Sequence, residues 1–443
     1  MKTTVNFKTI NNLAIPATIS GIAEPILSIT DAAIVGNIPV NGLESLAAAG
    51  IVGSFLSMLI WVLGQTRSAI SAIISQYLGA EKIKEVADLP AQAIFFNILL
   101  SLIILGSTIF IAEEIFSLFK ASGKILKYCI SYYSIRVWGF PLTLFTFAVF
   151  GIFRGLQNTY YPMLIAIIGV VVNIVLDFIL VYGVYGFIPA LNLEGAAWAS
   201  LIAQGVMALL VFFLLRAKTD ISLKLRFPLN KELKKLVFMS LNLFVRTIAL
   251  NVALLLAVRE ATALGARFIG AHTIAINLWL FSAFFIDGYS AAGNSMGGKL
   301  LGEKDYNGLW KLAKKIITYG MLVSVALMLT GFIFYYPLGR IFSNEEVVLQ
   351  TFYSIFFIVI LGLPMNTLAF IFDGLFKGLG EMKYLRNLLL TATFLGFVPA
   401  LYLGKYFGLG FHAIWLAFVV WMAIRGGALV WKFRRKFRPL LQN

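Results

Sequence analysis

Charge is what this chain has least of. Only 13% of its 443 residues are Asp, Glu, Lys or Arg, while 60% are hydrophobic; a soluble globular domain carries about 25% and about 45–50%. A soluble fold of this size could not hide that excess in a core, so the soluble class is excluded and the membrane class remains. Histidine and cysteine are scarce as well, at two and one. The single Cys129 cannot form an internal disulfide, and no Cys/His cluster stands at metal-ligand spacing. A disulfide scaffold and a metalloenzyme are thereby excluded. A nucleophile–base constellation and a phosphate-cradling glycine loop are also missing, so the chain reads as no enzyme and needs no cofactor.

What is present is a succession of long apolar runs. A helix needs about 20 apolar residues to cross a hydrocarbon core of roughly 30 Å, and the composition suffices for roughly twelve such spans. They fall near 10–36, 46–78, 90–112, 126–152, 161–184, 194–215, 230–262, 269–298, 312–337, 348–375, 384–403 and 408–431. The first run lacks a small-residue cleavage pattern and is read as a retained span. The net charge of +16 sits in the gaps between runs rather than on one continuous face, which argues for topology signals and against a nucleic-acid partner. Alternate gaps hold 25 Lys and Arg in one set and 6 in the other. Because cytoplasmic loops carry the excess, both termini are expected in the cytoplasm of a multi-pass plasma-membrane protein, in a bacterium the inner membrane.

An internal repeat organises the spans. Shifted by 223 residues, Gly139-Phe-Pro141 falls on Gly362-Leu-Pro364, Gly151-Ile-Phe-Arg154-Gly155-Leu156 on Gly374-Leu-Phe-Lys377-Gly378-Leu379, and Leu78-Gly79 on Leu301-Gly302. Ala196-Ala197-Trp198 resembles Ala413-Ile414-Trp415 at an offset of 217, the first half having a longer loop near 185–193. The expected architecture is all-α: twelve transmembrane helices in two six-helix lobes, 1–217 and 229–443, joined by a basic cytoplasmic linker at 218–228. Six spans per lobe give both lobes the same orientation, related by a pseudo-twofold axis along the membrane normal, as alternating access requires.

Ionisable residues inside spans carry the functional signal, since a charge at mid-bilayer costs at least about 2.5–3.5 kcal/mol unless it faces protein or water. They are Glu24, Asp31, Arg67, Arg136 and Asp177 in the first half, and Arg246, Arg259, Glu260, Asp287 and Asp373 in the second. Asn173 and Asp177 are four apart, so they share one face of an apolar helix. Asp31 shares its helix with Pro16 and Pro25, either of which can kink it. Two carboxyls facing one cavity of low dielectric would compete for a proton. The other reading has Asp31 solvated at the interface and Asp177 paired with an arginine such as Arg136. Glu24, seven residues before Asp31, either extends a proton path or bonds across helices. Asp287 either lines a cavity or pairs with Arg246 or Arg259. Asp373 pairs with Lys377, its i+4 neighbour, and His272 is read as an interfacial hydrogen-bonder.

Together the stretches Ile15-Pro16 through Asp31-Ala-Ala-Ile-Val-Gly36, Phe153-Arg154-Gly155-Leu156-Gln-Asn-Thr-Tyr-Tyr-Pro162, Asn173-x-x-x-Asp177 and Gly195-Ala-Ala-Trp-Ala-Ser200 resemble the multidrug and toxic compound extrusion family. Gly270-Ala-His272-Thr-Ile and Ala369-Phe-Ile-Phe-Asp373-Gly-Leu-Phe-Lys-Gly resemble its DinF-like branch. The resemblance runs from about residue 10 to 430. It implies an antiporter that exports small organic compounds, often cationic, in exchange for inward H+ or Na+. It also implies Asp31 and Asp177 as ion-coupling carboxylates with Asn173 and Ser200 as oxygen-bearing neighbours, a set that could hold Na+ as well as a proton. Where some members carry a cation-binding glutamate in the seventh span, this chain reads Leu243-Phe-Val-Arg246-Thr, so H+ is the expected ion. A monomer in the lipid bilayer is expected. The rival function is a lipid-linked oligosaccharide flippase of related two-lobe design, which would use the span arginines Arg67, Arg136, Arg246 and Arg259 on an anionic head group.

Overall fold

The computed structural model describes residues 3–39, 41–184 and 187–441, the side chain of Glu24 excepted. Among them the chain folds into α1 (Phe7–Gly36), α2 (Gly42–Leu63), α3 (Thr66–Gly79), α4 (Leu89–Ile109), α5 (Ala112–Leu118), α6 (Gly123–Arg136), α7 (Gly139–Gly155), α8 (Tyr160–Tyr182) and α9 (Asn192–Lys218). The second half adds α10 (Lys231–Leu264), α11 (Ala266–Gly302), α12 (Tyr306–Phe342), α13 (Glu346–Leu361), α14 (Leu363–Gly378), α15 (Met382–Thr391), α16 (Val398–Tyr406) and α17 (Phe411–Phe437). A π-helical turn at Ala392–Phe397 joins α15 to α16.

Ten stretches among the described residues are long and apolar enough to cross a membrane. Two bent pairs, α6 with α7 (47°) and α13 with α14 (50°), bring the number to twelve. These twelve correspond one for one to the apolar runs of the sequence. The bends fall at repeat-related places, Gly139-Phe-Pro141 and Gly362-Leu-Pro364. There the proline lacks the N–H for the ladder, and its ring crowds the carbonyl four residues back. α1, in contrast, stays helical through both Pro16 and Pro25.

The chain forms two compact units, one of 19–74 and 82–237 and the other of 1–18, 75–81 and 238–443. In the first unit a core of Val35, Val52, Phe55, Phe116, Cys129 and Tyr133 ties α1 and α2 to α5 and α6. Glycines let helices touch: a Cβ on Gly151 would strike the Arg67 carbonyl, and one on Gly155 would crowd Ile74 and the Ser71 carbonyl. The other unit packs α11 against α14 in the same manner, with Gly374 against the Ser290 carbonyl and Gly378 against the Asn294 carbonyl. One of its core clusters is rich in aromatic rings, with Trp279, Phe356, Phe397, Trp415, Phe418 and Trp421. His272, expected at the interface, is instead 1% exposed, with its ring 5.5 Å from that of Trp415. Packing against an indole, not contact with head groups, accounts for its place.

Candidate functional site

α8 is apolar on its outside and polar within. Val171, Val175 and Phe178 are 50–55% exposed, the face a lipid-contacting helix presents, whereas Asn173 and Asp177 on the opposite face are both fully buried. That face turns toward α9, which comes close because Gly169 leaves room for Met207 and Gly195 abuts the Leu180 carbonyl. Ser200 of α9, itself buried, thereby reaches Asn173: the Asn173 Nδ2 lies 3.3 Å from the Ser200 Oγ. With its amide turned so that both ends meet their complements, Asn173 donates to Asp31 Oδ1 at 3.0 Å and accepts from the Ser200 backbone N–H at 3.2 Å.

The structure thus brings Asp31, Asn173, Asp177 and Ser200 to one place in one unit. Asp31, far from Asp177 in sequence, reaches it because the end of α1 is fastened to α8, the Tyr182 hydroxyl donating to the Ile34 carbonyl at 2.8 Å. The two carboxyls lie within hydrogen-bonding reach of each other, and a bond between them would need a proton. Asp177 keeps one oxygen, Oδ1, buried without a partner. Such an orphan acceptor is costly in an apolar setting and marks a place for a proton or a cation. Arg136 is a positive charge that acts on both carboxyls through space. Its guanidinium lies 5.9 Å from the Tyr132 ring and its Nε is buried and unpartnered. The pair is therefore a site of four oxygen-bearing side chains with one cation at its edge, rather than an Asp–Arg ion pair.

Other candidates lie elsewhere. The side chain of Glu24 is outside the described residues. Asp287 is exposed on α11 and lies within electrostatic reach of Lys377. Asp373 pairs with Lys377 at 3.1 Å, as its spacing suggests, and also with Arg246 of α10, which its spacing does not. Arg425 of α17 is 2% exposed and joins this cluster. The sequence carries a signal for it, an arginine inside the last apolar run, 408–431. Among the described residues, no group of three or more His, Cys, Asp or Glu side chains could hold a metal ion.

A multi-pass helical membrane protein with a buried acidic site in one half fits the class of transporters. The MatE family model matches residues 16–179 and 243–402, and the chain belongs to that family of multidrug and toxic compound extrusion proteins. It is 28% identical to Protein DETOXIFICATION 43 of Arabidopsis thaliana over 75% of this chain and 65% of that one. To DNA damage-inducible protein F of Escherichia coli it is 27% identical over 97% and 93%. The chain spans less than two thirds of the plant protein's length. A solved structure described as MATE in the bent conformation superposes with a TM-score of 0.90 at 21% identity, covering 98% of this chain and 96% of the other. An outward-facing multidrug resistance MATE transporter superposes with 0.88 at 22%, covering 99% of each. These two share the fold.

Proposed function

We propose that the protein is a DinF-like secondary antiporter that exports small organic compounds, cationic ones among them, in exchange for inward H+, with Asp31 and Asp177 carrying the proton and Asn173 and Ser200 orienting them. The observation that supports this reading is the meeting of Asp31, Asn173 and Ser200 beside Asp177, whose buried Oδ1 has no partner. A pair that holds a proton in one state and gives it up in another can couple two conformations, because an ion shifts an equilibrium only by its different affinity for the two states. Coupling is reciprocal, so loading the proton weakens compound binding at the same step. Na+ is the second reading, since the same four side chains supply oxygen ligands.

Purified protein in liposomes decides between the ions. Efflux of a fluorescent organic cation driven by an imposed proton gradient supports the proposal; efflux that follows a sodium gradient at constant pH and ignores a proton gradient overturns it. The same reading places the protein in a bacterial inner membrane with both termini cytoplasmic, supported by the loop charge of 25 against 6. A cysteine introduced within 220–228 should resist an impermeant thiol reagent added to intact cells, and the native thiol is buried and gives little background. Labelling from outside would reverse the orientation.

A further inference from the structure

α17 changes character along one side. Its outward stripe runs through Leu416, Val420, Gly427 and Trp431 to Arg434, Arg435 and, in the turn that follows the helix, Arg438, all of them exposed. Steps of three, four or seven residues keep these positions on one helix face. Trp431 stands 20 residues after Phe411, which at the helical rise is about 30 Å, the depth of a hydrocarbon core. The stripe therefore turns from apolar to cationic where acyl chains end, with an indole at the boundary, the level at which Trp and Tyr collect in membrane proteins.

The same turns carry two kinds of basic residue. Lys432 and Lys436 face the protein and are neutralised there by Glu381, which accepts from both, and the Lys432 ammonium lies 3.6 Å from the Tyr384 ring centre. Arg434, Arg435 and Arg438 face away. Among the described residues, no carboxylate forms an ion pair with any of these three arginines. The Arg435 guanidinium lies 5.2 Å from the Trp431 ring centre. Together with Pro439, these four side chains line an open cleft of about 460 Å³.

Setting the orientation of a span takes only an excess of positive charge near its end. It does not call for three uncompensated arginines around a cleft with an indole beside them, and a phosphate diester at the membrane surface does. We propose that the cleft of Trp431, Arg434, Arg435, Arg438 and Pro439 binds the phosphate headgroup of an anionic phospholipid such as phosphatidylglycerol. Guanidinium forks donate to phosphate oxygens in pairs. Trp431, apolar in body and polar at its N–H, meets the glycerol region, and the stripe of Leu416, Val420 and Gly427 runs on along the acyl chains. A zwitterionic lipid is disfavoured, because its ammonium brings a further positive charge into a cleft that already holds three. The site requires only that α17 spans the bilayer, whichever ion or compound the protein moves.

The test is equilibrium binding of radiolabelled dioleoyl-phosphatidylglycerol and dioleoyl-phosphatidylcholine to the full-length protein purified in a neutral detergent. Phosphatidylglycerol should bind at least about tenfold tighter, since it brings a net negative charge to the arginines and phosphatidylcholine brings none. The variant Arg434→Gln/Arg435→Gln/Arg438→Gln should lose most of that preference. A control, Lys304→Gln/Lys311→Gln/Lys314→Gln, removes as many cations from the start of α12 in the same unit and should keep it. All six side chains are exposed, so the fold does not depend on them. Equal binding of the two lipids by the wild type overturns the proposal without any variant. So does a preference that survives in the arginine variant, or an equal loss in both variants, which would reduce the arginines to bulk positive charge. Displacement of phosphatidylglycerol by excess inorganic phosphate would make the cleft a site for soluble phosphate and overturn the lipid assignment.

Discussion

At the 223-residue offset, Gly151 and Gly155 of α7 answer to Gly374 and Gly378 of α14. The carbonyls they pack against, Arg67 and Ser71, answer to Ser290 and Asn294. The chemistry does not repeat in this way. Asn173 and Asp177 answer to Gly396 and Ala400, Ser200 at the 217-residue offset to Ala417, and Asp31 to Leu254; conversely Asp373 answers to Phe150 and Arg425 to Ala208. One unit buries a pair of acids beside one arginine, the other three cations around one acid. Close helix crossings leave glycine little freedom to vary, since any side chain meets backbone that cannot move. A buried charge needs only a partner within reach, and two units that repeat in shape can therefore be given opposite polarity.

The sharpest way to break this contrast is at the acidic site. Asp177→Asn keeps the size and mimics the protonated acid, and should reduce gradient-driven export by at least tenfold in liposomes while the protein still folds. Compound affinity in this variant should also lose most of its pH dependence, read by binding at several pH values. Export at the wild-type rate with the same pH response would return Asp177 to a structural role. At the basic cluster, Asp373→Asn should act on stability instead. It strips a buried carboxylate from Arg246 and Lys377, and leaving a buried charge unpaired costs about 3–5 kcal/mol, visible as a large fall in Tm in detergent. A variant with unchanged Tm would mean that the cluster is not held by its ion pairs.

The shared packing is tested by Gly151→Ala and Gly374→Ala, each of which should destabilise by about 1–3 kcal/mol through overpacking. Similar losses at the two positions support the repeat, and a loss at one alone breaks it. Asp31→Asn should be milder than Asp177→Asn in the efflux assay, because Asp31 is half-buried and Asp177 fully so.

The smallest effect belongs to the loop before α15. Burial disfavours the charged Glu381, but Lys436, which binds it, and Lys432, at 3.3 Å, outweigh this and hold its carboxyl below the ordinary range. A lowered folded value means the pairing stabilises the protein above the unfolded carboxyl value, about 4.3, and is lost as pH falls through the lower folded value. The group is partly exposed, so Glu381→Gln should cost no more than about 1 kcal/mol at neutral pH. The difference between variant and wild type in a pH series of melts should close below about pH 4.

The amino-acid sequence by itself determined the spans, the repeat and the family. All three depend on local or periodic properties: apolar length against bilayer thickness, proline at the bends, glycine at fixed offsets. It also determined that Asn173 and Asp177 share a face, since four residues make about one helical turn. Only the tertiary structure decided that Asp31 completes that site, because the meeting depends on how the end of α1 docks beside α8 at Tyr182. It likewise decided that Asp373 serves Arg246 as well as Lys377, and that Arg425 is left without a carboxylate. The i+4 pairing was legible in the spacing; the other two arise from α10, α14 and α17 converging, and sequence distance carries no information about which buried charges a fold will bring together or leave uncompensated.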